Sequence, residues 1–132
     1  MTRVWWTRSG LVGAGLFRMA LGTTLVVRPA NLAKTVGVDS STASKVSWLG
    51  SMVGVRDIAL GWGLVHAARH GEDARPWLLA QAASDAVDAA AFAAAVARGQ
   101  AKPVKTLAIA AFAALGTMSE LQAYQGLSRA VR

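Results

Sequence analysis

The sequence has no cysteine, only three prolines and one tyrosine, and charged side chains make up just 16% of its 132 residues. The absence of cysteine excludes disulfides, thiol nucleophiles, iron–sulfur clusters and cysteine-based zinc sites. A typical soluble domain has about 25% charged residues, so the charged fraction is low here. With 54% apolar residues and a mean hydropathy of +0.38, the composition also excludes a disordered chain.

The apolar residues are gathered into long segments. Residues 9–27, 46–68 and 77–96 are each about as long as the hydrocarbon core of a bilayer is thick, and a fourth segment covers about 104–120. Between the first two, residues 32–36 are predicted to form a short helix that lies along the membrane surface. The prediction is a single all-α domain over residues 1–132, a bundle of four transmembrane helices with a short interfacial helix between helices 1 and 2.

A soluble helical bundle is the alternative fold, because alanine supplies much of the apolar content in place of leucine and isoleucine. A soluble bundle would place the charged residues of these segments in solvent. A membrane-spanning bundle would instead require them to meet one another inside.

The net charge of +7 raises the question of nucleic-acid binding. However, the basic residues occur singly, and outside the segment centres nearly all of them flank the apolar segments, where cations meet phospholipid headgroups: Arg3, Arg8, Arg28, Lys34, Lys45, Arg69, Arg75, Arg98, Lys102, Lys105, Arg129 and Arg132. We therefore expect the lipid bilayer of the plasma membrane as the partner, and no nucleic acid. Six of these residues fall on each side of the predicted bundle, so the orientation is not determined.

Five ionisable residues lie near the middle of the apolar segments: Arg18, Arg56, Asp57, Asp85 and Asp88. At about 2.5–3.5 kcal/mol for each central charge, the five would together cost roughly 12–17 kcal/mol if unpaired. We therefore expect them to form ion pairs with one another. Arg56 lies about 100° around its helix from Asp57, so it is expected to face the fourth helix or a neighbouring subunit.

Helical spacing places these charges on narrow faces with polar or small neighbours. On the third segment the face consists of Gln81, Ser84, Asp85 and Asp88. On the second segment it consists of Gly50, Gly54, Asp57 and Gly61, and on the first of Gly15, Arg18 and Gly22. Glycines on a shared face predict close packing of membrane helices.

Two interpretations of this buried polar cluster stay open. It is either a structural ion-pair network that fixes the register of the helices, or a site for a proton, a cation or the polar headgroup of a ligand. The three acids exceed the two bases by one, which leaves one carboxyl group either protonated or available to a cation.

Other motifs are weaker. His66 and His70 are four residues apart at the end of the second segment and are weak candidates for metal or haem ligands. No catalytic elbow, zinc-protease motif or Ser–His–Asp set is present, so we expect neither an enzyme nor a bound cofactor.

Two short motifs carry a resemblance to a known group. Gly54-Val-Arg56-Asp57-Ile-Ala-Leu-Gly61 (GxRDxxxG) and Asp85-Ala-Val-Asp88 (DxxD) resemble those of uncharacterised four-helix integral membrane proteins from actinobacteria, which are distantly DoxX-like. The resemblance implies four transmembrane helices and a plasma-membrane location. DoxX-like proteins are linked to quinol oxidation or redox membrane assemblies, and the group has no established reaction.

The glycine and polar faces favour a non-enzymatic membrane protein that acts through helix–helix association, as an accessory subunit or a homo-oligomer. The alternatives are a carrier for small molecules that is coupled to protons or cations through the aspartates, and a membrane redox component associated with quinone or haem.

Overall fold

The computed structural model describes residues 6–130, so Arg3 and Arg132 lie outside the described part of the chain. Within it the regular structure is entirely helical: α1 Arg8–Val27, α2 Ala30–Thr35, α3 Ser40–Lys45, α4 Ser47–His70, α5 Arg75–Ala97 and α6 Pro103–Ala130. The all-α prediction is therefore confirmed.

Three of the helices, α1, α5 and α6, are long and apolar enough to cross a membrane. Only 22%, 11% and 22% of their most apolar stretches are buried within the chain. Large apolar side chains such as Phe17, Val87 and Leu115 instead face outward, each more than half exposed. A soluble bundle would bury this surface, so the three helices indicate a membrane protein. α4 is as long, but it is not among these three helices.

The helix ends follow from local chemistry. The Thr7 hydroxyl accepts a hydrogen bond from the backbone N–H of Gly10 and caps α1. α4 ends at Gly71, whose φ of +71° is a left-handed conformation that glycine adopts without a steric penalty. α6 continues to Ala130, well past the predicted end at residue 120, because Ala123, Tyr124 and Leu127 of its last turns pack in or against the apolar core.

The connection between α1 and α4 contains two short helices where one was predicted. α2 lies near the expected position, and α3 begins after Asp39, whose carboxylate accepts the backbone N–H of Thr42 at 3.0 Å. This hydrogen bonding with Thr42 lowers the pKa of Asp39. The backbone N–H of Lys102, in the turn before α6, donates to the Val36 carbonyl at 2.9 Å. The connection is thereby tied to the other half of the molecule.

The long helices form two antiparallel pairs, α1 with α4 and α5 with α6, and each pair packs over most of its length. Glycines permit the first contact. A Cβ at Gly22 would lie 2.5 Å from the Gly54 carbonyl oxygen, and a Cβ at Gly15 would lie 2.6 Å from that of Gly61. The backbones therefore approach closely, as small residues allow between membrane helices.

The two pairs meet at one end through an apolar core. Leu11, Leu64, Leu78 and Ala123 come one from each long helix and are almost completely buried there. Beyond this core, the buried side chains at the contact between the pairs are charged or polar.

The close contact between α1 and α4 is open to a direct test. We expect Gly22→Ala to lower the free energy of unfolding by about 1–3 kcal/mol, because its methyl group would overlap the α4 backbone. Gly13→Ala, on the same helix, is the matched control, since a Cβ there meets nothing within 4 Å. The measurement is unfolding by denaturant in detergent micelles, and equal stability of the two variants would contradict the packing.

Candidate functional site

Arg18 lies at the centre of a buried cluster to which all four long helices contribute. Its guanidinium donates to Asp85, to Glu120 Oε1 at 2.8 Å and to Gln81 Oε1 at 3.2 Å. Its Nε lies 3.6 Å from Asp57 Oδ1. Only 8% of Arg18 is exposed, so its charge is compensated by protein groups and not by solvent.

Arg56 forms a second centre beside the first. Its guanidinium makes a two-pronged contact with Asp88, at 2.9 and 2.6 Å, and donates to Asp57 Oδ1 at 3.1 and 3.0 Å. Arg56 therefore faces α5 and its own neighbour Asp57, and not α6 as one sequence expectation had it. The long side chain reaches around the helix, which a helical-wheel angle does not take into account. Asp57 joins the two centres, because the same oxygen faces both arginines.

The charges are divided unequally between the helix pairs. The α1/α4 pair carries both arginines and Asp57, whereas the α5/α6 pair carries Asp85, Asp88 and Glu120. Four carboxyl groups thus face two guanidinium groups. If all are ionised, the cluster has a formal charge of −2, one more negative charge than the sequence prediction.

Sequence reasoning missed two contributions from α6. Neither Glu120, at the predicted end of the fourth segment, nor Gly116 was among the predicted site residues. A Cβ at Gly116 would collide with the Asp85 carboxylate, so this glycine leaves the space that the carboxylate occupies. The i, i+4 spacing of Gly116 and Glu120 on an otherwise apolar face was the available signal.

A cavity of about 520 Å³ lies beside the cluster, between the helix pairs. Its walls are mostly apolar, and Arg18, Asp57, Asp85, Asp88 and Glu120 supply its charged end; the apolar walls include Phe17, Leu21, Leu25, Phe92, Ile109 and Phe112. A volume of this size is typical of sites for small organic ligands.

Phe17 and Phe112 mark the rim of the cavity where α1 and α6 face each other. Their ring centroids are 6.3 Å apart, and each residue lines the cavity although more than half of it is exposed. The rim therefore lies at an apolar outer surface of the helices.

The other predicted residues have different positions. Ser84 is half-buried, and its hydroxyl has no hydrogen-bond partner and does not line the cavity. A Cβ at Gly50 would collide with the Pro29 carbonyl, so Gly50 allows the segment after α1 to cross α4. The predicted glycines therefore serve contacts inside the chain.

His66 and His70 lie at the end of α4, away from the cavity lining. Their ring centroids are 4.2 Å apart, and His66 Nε2 is 3.7 Å from Glu72 Oε1. Among residues 6–130, no group of three or more His, Cys, Asp or Glu side chains is arranged to hold a metal ion.

In comparisons with known proteins, no protein-family model, no curated protein and no solved structure matches the chain. The site must therefore be interpreted from its own geometry.

Arg18 should be essential for stability. We expect Arg18→Gln to lower the free energy of unfolding by about 3–5 kcal/mol, because it leaves the carboxyl groups of three other helices without their shared cation. Adding Asp85→Asn should restore part of the loss, since it removes one of the unpaired acids.

Arg75→Gln is the control, because Arg75, at the start of α5, pairs with Asp73 at the surface, and such pairs contribute little. Unfolding in detergent micelles measures all three variants. A loss for Arg75→Gln equal to that for Arg18→Gln would contradict the central role of Arg18.

Proposed function

We propose that this chain is a multi-pass protein of the plasma membrane that binds a small molecule in its central cavity and couples the movement of that molecule to a proton or another cation. The single observation that carries the proposal is the excess of carboxyl groups over guanidinium groups at the charged end of a mostly apolar cavity.

Four transmembrane helices belong to this proposal. α4 carries Arg56 and Asp57 at its middle, so it is a poor span by composition alone. It packs along α1 through the glycine contacts for most of its length. If α1 crosses the bilayer, α4 therefore crosses it as well. α2, which contains Lys34 and follows Arg28, then lies along the membrane surface.

The charge excess explains how a cation would be held. Two excess negative charges in apolar surroundings are costly, so protons or cations are expected to neutralise them. Because the ligand cavity and these carboxyl groups share one space, binding of a ligand changes the affinity for the cation, and the reverse holds by linkage.

The division between the helix pairs suggests how binding becomes movement. Ion pairs from Arg18 to Asp85 and Glu120, and from Arg56 to Asp88, hold the α1/α4 pair to the α5/α6 pair. Protonation of these acids weakens the attraction and allows the pairs to separate at the cavity. Such rocking of packed halves is a common route of alternating access.

The two other hypotheses from the sequence have less support. The accessory-subunit or homo-oligomer hypothesis was based on glycine and polar faces that need partners, and α1, α4, α5 and α6 supply those partners to one another. The quinone or haem hypothesis, and with it the DoxX-like resemblance, stays a prediction. It is tested by extracting quinone from the purified protein and by recording its Soret absorption.

The coupling carboxyl groups define the main test of the carrier function. In liposomes, we expect currents on a solid-supported membrane that depend on pH with at least one member of a panel of small amines, carboxylic acids, neutral solutes and quinols. Asp85→Asn and Glu120→Gln should reduce these currents to background, because they remove groups that take up the cation.

Asp73→Asn is the matched control for this measurement. Its carboxylate lies in the exposed connection before α5 and accepts hydrogen bonds from Arg75, which lower the pKa of Asp73. Asp73→Asn should behave like the parent. Absence of current across the whole panel, or equal currents in all variants, would contradict a carrier.

A further inference from the structure

One carboxylate oxygen of the charged cluster is fully buried and has no hydrogen-bond partner. Glu120 is 92% buried, its exposed fraction being 8%, and Oε1 is engaged by Arg18 at 2.8 Å. Oε2 is fully buried and has no hydrogen bond, and Glu120 lines the cavity. A buried carboxylate oxygen without a donor is destabilising, so Arg18 compensates the negative charge of Glu120 only in part.

The chemistry of a ligand group that binds beside Glu120 follows from its carboxylate. An ionised carboxylate only accepts hydrogen bonds, so the group must donate one. The other buried atoms that lack hydrogen bonds do not compete for it: Arg18 Nε faces Asp57 at 3.6 Å, and the hydroxyl groups of Ser84 and Thr106 are outside the cavity lining.

The negative charge of the cluster favours a cationic hydrogen-bond donor over a neutral one. A neutral donor such as an alcohol would hydrogen-bond to the Glu120 carboxylate but leave the formal charge of −2 unchanged. A protonated amine donates to this carboxylate and also removes one excess negative charge, and such charge-assisted hydrogen bonds are about twice as strong as neutral ones. A carboxylic acid or phosphate would add negative charge to carboxyl groups that already exceed their partners.

The apolar walls of the cavity indicate the chemical character of the rest of the ligand. Phe17, Phe92 and Phe112 line the cavity together with leucine and isoleucine side chains, and a volume of about 520 Å³ is much larger than an ammonium group requires. Apolar walls favour an aromatic or aliphatic body, and phenyl rings also attract cations.

From these observations we propose that the cavity is a binding site for amphiphilic amines, with the ammonium group beside the Glu120 carboxylate and the apolar body between α1, α5 and α6. This inference rests on the proposed function and names its ligand class. The exposed rim at Phe17 and Phe112 gives such a molecule access from the apolar layer of the membrane, where amphiphilic amines accumulate.

Three ligands with one body and different headgroups test the proposal: diphenylpropylamine, diphenylpropanol and diphenylpropionic acid. Binding to the full chain in lipid nanodiscs is measured by calorimetry, with empty nanodiscs subtracted to remove partitioning into lipid. We expect the amine to bind about tenfold more tightly than the alcohol or more, and the acid to bind more weakly than either.

Glu120→Gln should abolish the preference for the amine, because the amide oxygen carries no charge. Glu72→Gln is the matched control and should keep it, since the Glu72 side chain is 58% exposed and pairs with His66 outside the cavity. Equal affinity for amine and alcohol, an unchanged preference in Glu120→Gln, or no binding of the amine overturns the proposal. The carrier function is judged separately, from the currents with the wider panel.

A measurement on the unmodified protein covers the case in which Glu120→Gln does not fold. Dicyclohexylcarbodiimide reacts with carboxyl groups in apolar sites, and mass spectrometry locates the modified residue. We expect the amine to protect Glu120 from this reagent and the alcohol not to protect it. Equal protection by both compounds, or by neither, would overturn the assignment of the ammonium group to Glu120.

Discussion

The arrangement of this molecule depends on one guanidinium group. Arg18 extends from α1 and makes ion pairs with acids on α4, α5 and α6, so a single side chain fixes the relative height of four helices. In apolar surroundings no water is available to replace a lost partner, and each carboxyl group therefore has a defined position. The second centre at Arg56 extends the same constraint through Asp57.

The glycine contacts and the charged contacts have different tasks. Gly15, Gly22, Gly54 and Gly61 bring two backbones together and make α1 and α4 a unit in which little space is left. Between this unit and the α5/α6 pair, long charged side chains keep the backbones apart, and the cavity occupies the resulting space. The cavity is thus a consequence of joining two tightly packed pairs through a layer of charged side chains.

Much of this was predictable from periodicity and from the cost of burying charge. The three polar or glycine-bearing faces, the helical class and the need for ion pairs all follow from residue spacing on apolar segments. The contribution of α6 was not predictable in the same way. Glu120 lies at the predicted end of the fourth segment and not near the middle of a segment, so it was not among the charges expected to pair. Only the three-dimensional packing places it against Arg18.

The contact of Arg56 with α5 was also not predictable from the sequence. A helical wheel gives the angle of the Cα–Cβ bond, whereas the guanidinium lies several bonds further out and selects the nearest acid. Likewise, the need for glycine at position 116 is explained only when the position of Asp85 on the opposite helix is known. Residue spacing within one segment does not show which residues of distant segments come into contact.

The order of the charges along the chain has a consequence for biogenesis. Both arginines belong to α1 and α4, which are synthesised before the helices that carry Asp85, Asp88 and Glu120. Because ribosomes deliver the N-terminal part first, each acid-bearing helix emerges when its basic counterpart is already in place. A circular permutant that began with α5 and α6 would present three acids to the insertion machinery without a cation to receive them.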